Sequence, residues 1–330
     1  MKNHSITLLT TAFLLVSAMG FAQQDFFLAL YKHHMNVFNP ATTGTQEGAF
    51  LNTSYRSQWV NVADATRVQA ISLGFPSGEK RLGYGLRLSN DVTFTERQTK
   101  IYANFSYRLP LNDQWNLYLG LAAGGNNFSV DLNNLNNLET TGDRAFSSYS
   151  HFNPNIGVGI YLQSEKYFLS ISLPEILSTK RYKEQNGFST TPEDLPHFYA
   201  IAGAKLPLSS DWSWVGSTLV RYVAAAPWSV VANTGLGYKK LEATVGYQFD
   251  AGITGTLLLK TDGAFTLGYS YQAPTAGQLA SITGGSHELL LKIRLGSPTP
   301  KEGNIEEDDI GTYNKEKALS SITNSRIQIN

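Results

Sequence analysis

From residue 48 to residue 296 the chain is a train of short segments in which large apolar residues alternate with small or polar ones. In Ala264–Tyr271 the bulky side chains are Phe265, Leu267, Tyr269 and Tyr271, and Thr266, Gly268 and Ser270 stand between them. Successive side chains of a strand point to opposite faces, so such a segment has one greasy face and one small, polar face. The same period recurs in Leu82–Asn90, where Tyr84, Leu86 and Leu88 alternate with Gly83, Gly85 and Arg87, and in Leu241–Asp250. Counting such segments predicts about fourteen strands of roughly ten residues, an even number of the length bacterial outer-membrane barrels use.

The predicted strands are Ala49–Gln58, Arg67–Phe75, Leu82–Asn90, Lys100–Leu109, Trp115–Gly124, Asn155–Gln163, Tyr167–Leu173, His197–Leu206, Trp212–Val223, Trp228–Tyr238, Leu241–Asp250, Gly252–Lys260, Ala264–Gln272 and Ser286–Leu295. Every second connection is short, as at 76–81, 110–114, 164–166, 207–211, 239–240 and 261–263. The long ones all fall on the other parity: 59–66, 91–99, 125–154, 174–196 and 273–285. An up-and-down barrel puts alternate connections on one side, with short turns in the periplasm and long loops outside. A soluble sandwich with Greek-key crossings has no reason to sort its loops in this way. The fold class is therefore an all-β, transmembrane, up-and-down antiparallel barrel.

Composition agrees. Charged residues make up 16% and aromatics 12%, with 29 glycines and no cysteine. Absent cysteine removes disulfides, thiolate metal sites and a lipidated N-terminus together. A net charge of zero gives no basic excess of the kind that marks a nucleic-acid binder. The charges inside the strands mostly fall on the small-polar parity and so face the interior, as do Arg87, Arg108, Lys205, Arg221, Glu242, Glu288, Lys292 and Arg294. That placement avoids the ~2–4 kcal/mol that a charge costs on the lipid face at mid-membrane. Trp115, Trp212, Trp214, Tyr222, Trp228, Tyr238 and Phe249 cluster near strand ends on the lipid parity, as interfacial aromatics do.

Four regions follow: an export signal (1–22), a lead-in or plug segment on the periplasmic side (23–47), the barrel (48–296) and a polar, acidic, flexible tail (297–330). Lys2, the apolar stretch Ile6–Val16 and the small residues of Gly20-Phe21-Ala22 carry the signal reading. Pro298, Pro300 and the mostly acidic Glu302–Asp309 carry the tail reading.

Few residues speak for catalysis. No Gly-x-Ser-x-Gly elbow is present. His33 and His34 precede the barrel and read as solvated, while His287 and Glu288 are strand neighbours that point apart. Acidic loop residues such as Asp91, Asp131, Glu139 and Asp143 lack the dense spacing of a calcium loop. No cofactor, metal site or enzymatic activity is expected.

Several stretches carry a family resemblance. They are Phe38-Asn39-Pro40-Ala41-Thr42-Thr43-Gly44, Tyr55-Arg56-Ser57-Gln58-Trp59, Leu82–Leu86 with Asn90-Asp91, Tyr102–Pro110, Pro154–Tyr161, Arg221-Tyr222-Val223 with Ala226-Pro227, and Gly268–Tyr271 with Gly285–Leu289. In order and spacing they resemble the PorP/SprF family of outer-membrane proteins, over residues 24 to 296. The resemblance implies a non-enzymatic outer-membrane component of the type IX secretion system. Such a component assists export or surface attachment of sorting-domain proteins, including adhesins, and is linked to gliding motility. The partners it implies are outer-membrane lipid, the secreted sorting-domain proteins or a surface adhesin, and periplasmic and motor-associated components. Candidate partner contacts fall on these motifs at Asn39, Pro40, Gly44, Arg56, Trp59, Asn90 and Asp91. The alternative is an outer-membrane channel for a small solute, which differs in needing a continuous wet path through the lumen.

Overall fold

A computed structural model describes residues 27–46, 48–76, 81–130, 149–180, 193–224, 226–249, 251–261, 263–275 and 283–296. The signal, the tail, and the central parts of the connections at 131–148, 181–192 and 276–282 lie outside these residues.

The strands are β1 (Ala49–Ser57), β2 (Arg67–Pro76), β3 (Leu82–Thr93), β4 (Glu96–Pro110), β5 (Asn116–Val130), β6 (Tyr149–Gln163), β7 (Tyr167–Leu173), β8 (Thr179–Lys180), β9 (Glu193–Asp194), β10 (His197–Pro207), β11 (Trp212–Val223), β12 (Ser229–Tyr238), β13 (Leu241–Gln248), β14 (Gly252–Lys260), β15 (Phe265–Pro274) and β16 (Ser286–Leu295). The short pair β8 and β9 forms a separate two-stranded ladder, and the other fourteen strands close into one barrel. Each pairs antiparallel with its sequence neighbour in the barrel, and closure comes from β1 lying between β2 and β16, with Thr53 opposite Ile71 and Leu291. Closure leaves no strand edge unpaired, which is the condition for placing a sheet in hydrocarbon. Among the described residues no helix is long and apolar enough to cross a membrane.

The strands fall where alternation places them, except that β5 runs on past Gly124 to Val130 and β6 begins at Tyr149 rather than Asn155, and two further differences are informative. The stretch 91–99 is no loop: β3 and β4 run on as one hairpin and close on Phe94-Thr95, with Thr93 opposite Glu96 and Phe94 at φ 52°. Turn residues of the Gly/Asn/Asp kind are missing there, so the tight turn left no signal. The second difference is one of size. Outward residues are large in most strands, as Leu86 (57% exposed), Leu121 (62%) and Leu257 (52%) show. In β10, however, the inward residues are Tyr199 and Ile201, both buried, while Ala200 and Ala202 face out. Inward Leu219 of β11 and Val231 of β12 extend this apolar strip of inner wall.

The strip has a partner. Residues 27–45 enter the barrel and lie inside it as three 3₁₀ turns, Tyr31–His33, Met35–Val37 and Pro40–Thr42. Leu28, Tyr31, Val37 and Phe38 pack on Val68, Tyr199, Ile201, Leu219 and Val231. Met35 and Ala41 pack on Tyr118 and Tyr161, and Leu30 packs on Leu258 and Leu290. The core of the molecule is thus the seam between this segment and the inner wall.

Outward aromatics pair across neighbouring strands near the ends: Trp212 with Tyr238 at 4.7 Å and Tyr222 with Trp228 at 4.8 Å between ring centroids.

A charge tested at two depths checks the lipid face. Leu86→Arg, in mid-strand, is expected to destabilise the barrel by about 2–4 kcal/mol in urea-driven unfolding from lipid vesicles, and Leu82→Arg at the strand end by about 0–1 kcal/mol. Equal costs at both depths would mean that this face does not meet hydrocarbon.

Candidate functional site: the lumen and the segment that fills it

The lead-in is bonded to the wall along its whole length. Near its start, the backbone N–H groups of Ala29 and Leu30 donate to the Glu288 carboxylate at 2.6 and 3.1 Å. Arg56 of β1 lies 3.6 Å from the same carboxylate, donates to the Gln272 side chain and covers the Phe27 ring. Arg56 and Glu288 are both almost completely buried. Such a pair holds in a low-dielectric site only because each member has further polar partners.

One turn further on, the Tyr31 hydroxyl meets Ser217 at 3.0 Å and accepts from Asn233 at 3.1 Å. Burial raises the Tyr31 phenol to about 12, so it stays protonated. Lys32 and His33 both reach Glu242 of β13, at 3.0 and 3.3 Å. His34 is buried between Ser54 and Ser72, each 2.8 Å from a ring nitrogen. These histidines are therefore not the solvated pair the sequence suggests, because the segment that carries them sits inside the barrel. Burial first, and then the Lys292 charge, lower the His34 imidazole to about 3, so it is neutral. Burial lowers His33 as well and outweighs the attraction of Glu242. About a fifth of the His33 side chain remains accessible (19%), so this effect is weaker than at His34.

The remaining turns follow the wall toward the short connections. Arg87, stacked 4.3 Å over the Tyr102 ring, donates to the Val37 carbonyl. Ser172 donates to the Phe38 carbonyl at 2.8 Å. Asn39 caps the third turn: its Oδ1 accepts from Ala41 N at 2.8 Å, and Pro40 takes the first position, where no N–H is needed. The same side chain donates to Ser170 at 2.8 Å and to the Ile160 carbonyl at 2.9 Å. The wall makes room here, since a Cβ on Gly159 would overlap Asn39 and one on Gly120 would overlap the Ala41 backbone. Gly44 ends the segment at φ 73°, where a Cβ would come within 2.7 Å of the Gly83 Cα. Both the left-handed backbone and the contact require glycine. Ser106 donates to the Thr43 carbonyl beside it.

Of the motif residues, the structure brings Asn39, Pro40 and Gly44 together in the lead-in and sets Arg56 against its first described residues. Trp59, Asn90 and Asp91 lie at the end of the barrel that bears the long connections. Trp59 lies after β1 at φ 55°. Asn90 accepts from Thr99 at 2.9 Å and Asp91 from Thr93 at 3.2 Å. Sequence reasoning placed Glu242 and Glu288 on the inner face but missed what they hold. It also missed His34, Ser54 and Ser72 as one bonded group. The available signal was parity: Ser54, Ser72 and Glu288 all lie on inward positions. Among the described residues no cluster of three or more His, Asp or Glu side chains could hold a metal ion.

A closed barrel, greasy outside and packed inside with its own N-terminal lead-in, defines an internally filled outer-membrane β-barrel. The chain belongs to the PorP/SprF family: the family described as "Type IX secretion system membrane protein PorP/SprF" matches residues 20–293. It is an outer-membrane protein and a membrane component of that secretion system. Similar solved structures include the Acinetobacter baumannii outer membrane protein Omp33, with 7% identity, 77% of this chain and 100% of that one covered, and TM-score 0.44. The Ralstonia pickettii toluene transporter TbuX has 9% identity, coverage of 78% and 92%, and TM-score 0.46. A Pseudomonas aeruginosa FadL homologue has 12% identity, coverage of 78% and 92%, and TM-score 0.45. No curated protein matches the sequence.

Two predictions test the seat of the lead-in. Glu288→Ala leaves Arg56 buried without its counter-charge, a change that costs about 3–5 kcal/mol. Amide exchange should rise at residues 28–34 while the strands opposite, β5 and β6, stay protected. The second is a pH effect. His34 is neutral when seated, with its pKa lowered from 6.5 to about 3. The unseated ring therefore takes up a proton that the seated ring refuses, so the seat is strongest above 6.5 and weakens as pH falls from there toward 3. His34→Gln should flatten most of this slope in the exchange of residues 28–38, with the remainder due to His33 and to the Glu242 carboxylate that holds it.

Proposed function

We propose that this protein is a non-enzymatic outer-membrane component of the type IX secretion system that assists export or surface attachment of sorting-domain proteins, among them adhesins, with a link to gliding motility. The observation that carries the reading is the occupied lumen. Residues 27–45 are bonded to the wall from Glu288 at one end to Ser106 at the other, which suits a partner platform better than a solute path. In this reading residues 1–22 serve as the export signal. The short turns face the periplasm and its secretion and motor-associated components. The end of the barrel that bears the long connections faces outward, toward cargo. The contact residues proposed at the outward end are Trp59, Asn90 and Asp91, while Asn39, Pro40, Gly44 and Arg56 act through the seat of the lead-in.

The second reading, a channel for a small solute, is favoured only by the closed barrel itself, and it requires the lead-in to leave. Two measurements separate them. In planar bilayers the intact protein is expected to show no steady conductance, and deletion of 27–44 is expected to open one in a barrel that keeps its heat-dependent gel shift; a steady pore in the intact protein would overturn the platform reading. In cells, deleting the gene should remove at least one sorting-domain protein from the surface or medium, and unchanged export of all of them would refute the secretion role.

A further inference from the structure

The charges lining the two ends of the lumen differ in kind. At the end bearing the long connections, acids and bases are matched: Arg56 with Glu288, and Lys100 with Glu175 at 2.9 Å. At the end bearing the short turns, bases dominate among the described inward residues. Lys260 is the last residue of β14, Lys205 lies two before the end of β10, and Lys292 and Arg294 lie near the end of β16. All four are on inward positions, and Lys32 of the lead-in joins them from the lumen. Lys260 is close enough to Lys205 and Lys32 to be repelled by both, and Lys292 is repelled by Lys260.

Among the described residues one inward carboxylate, Glu242, serves this group, and it is already shared by Lys32 and His33. Among the described residues Lys205, Lys260 and Lys292 form no ion pair. Lys292 instead lies over the Phe50 ring at 4.5 Å. Holding several like charges on one wall without counter-charges raises the energy of the barrel, and an anion brought to them recovers it.

Two features define the anion. The bases face the lumen and not lipid, so headgroups in the surrounding leaflet do not reach them. They also spread from β10 to β16, six inter-strand steps in the barrel order and roughly 29 Å of wall at about 4.8 Å a step. Lys260 is within electrostatic reach of Lys205 on one side and of Lys292 on the other, so the three bases form a row that an extended chain bearing several carboxylates can follow from end to end. We propose that the turn end of the lumen is a docking site for an acidic polypeptide segment, engaged by Lys205, Lys260 and Lys292, with Lys32 and Arg294 at its borders. This does not depend on which cargo the protein serves, and it names a surface distinct from the loop-end contacts proposed above.

The test uses the full-length protein in lipid nanodiscs and a fluorescein-labelled peptide of alternating glutamate and serine, followed by anisotropy across a salt series. The same peptide with glutamine in place of glutamate, and inorganic phosphate as competitor, serve as controls. Binding is expected for the glutamate peptide alone, falling as salt rises. The triple variant Lys205→Gln, Lys260→Gln, Lys292→Gln should weaken it at least about tenfold, or about 1.4 kcal/mol. The corresponding triple arginine variant should retain binding, which controls for folding, and Lys100→Gln at the other end should leave it unchanged. The proposal is overturned if the glutamine triple binds as well as the native protein, if no binding appears at low salt, if Lys100→Gln abolishes it, or if phosphate at equal charge displaces the peptide fully, which would make this a small-anion site.

Discussion

Closing fourteen strands leaves an interior wider than side chains alone can fill. Eight strands can be packed solid by their own inward residues, and sixteen leave an aqueous channel. At fourteen the space must hold either water or protein, and here it holds residues 27–45 of the same chain. Much of the inner wall follows from that occupant. Where the lead-in shows apolar faces, at Leu28, Tyr31 and Phe38, the wall answers with Tyr199, Ile201, Leu219 and Val231. Where its backbone comes closest, at Asn39 and Ala41, the wall retreats to Gly159 and Gly120. Small inward residues are therefore the footprint of a segment that precedes the barrel by only a few residues in sequence.

The seat is polar as much as apolar, and the division of labour is physical. Burying the segment's apolar side chains supplies non-directional attraction, at about 25 cal/mol for each Å² removed from water. The hydrogen bonds and ion pairs add little net energy but allow one register only, because each misplaced partner leaves a buried polar group unpaired. Glu288 shows the logic: it accepts two backbone N–H groups and faces Arg56, so shifting the lead-in by one residue strands both a carboxylate and a guanidinium. A 3₁₀ segment has few internal hydrogen bonds of its own and depends on such outside partners.

Strand number, strand positions and the sorting of connections were legible in the sequence because the lipid face imposes a strict period, and one wrong parity would place Arg87 or Glu288 in hydrocarbon. The hairpin at Phe94-Thr95 was not legible, since its turn has no glycine, asparagine or aspartate to announce it. Neither was the inverted size pattern of β10, where Tyr199 and Ile201 turn inward. That choice is dictated by Phe38, about 160 residues away in sequence, and periodicity within a strand carries no information about a partner at that distance. The motif Asn39–Gly44 stood out as a string of residues, but its meaning, a capped turn pressed on two wall glycines, needed the third dimension. Trp59, Asn90 and Asp91 stood out in the same way, and they lie at the end of the barrel that bears the long connections.

A polar inner face is commonly read as the wall of a pore, and this molecule shows why polarity alone is not enough. In a pore the inward hydroxyls and amides meet water. Here Ser54 and Ser72 meet His34, Ser106 meets the Thr43 carbonyl, Ser172 the Phe38 carbonyl and Ser217 the Tyr31 hydroxyl. Alternation of polar and apolar residues is the same in both cases, because it reports only which face is in lipid. What separates a channel from a filled barrel is the identity of each inward group's partner. The basic turn end stands out on this measure, since among the described residues Lys205, Lys260 and Lys292 form no ion pair, and the nearby Glu242 is already held by Lys32 and His33. Charges left without an ion pair among the described residues are a property of the surface that faces whatever approaches from the turns.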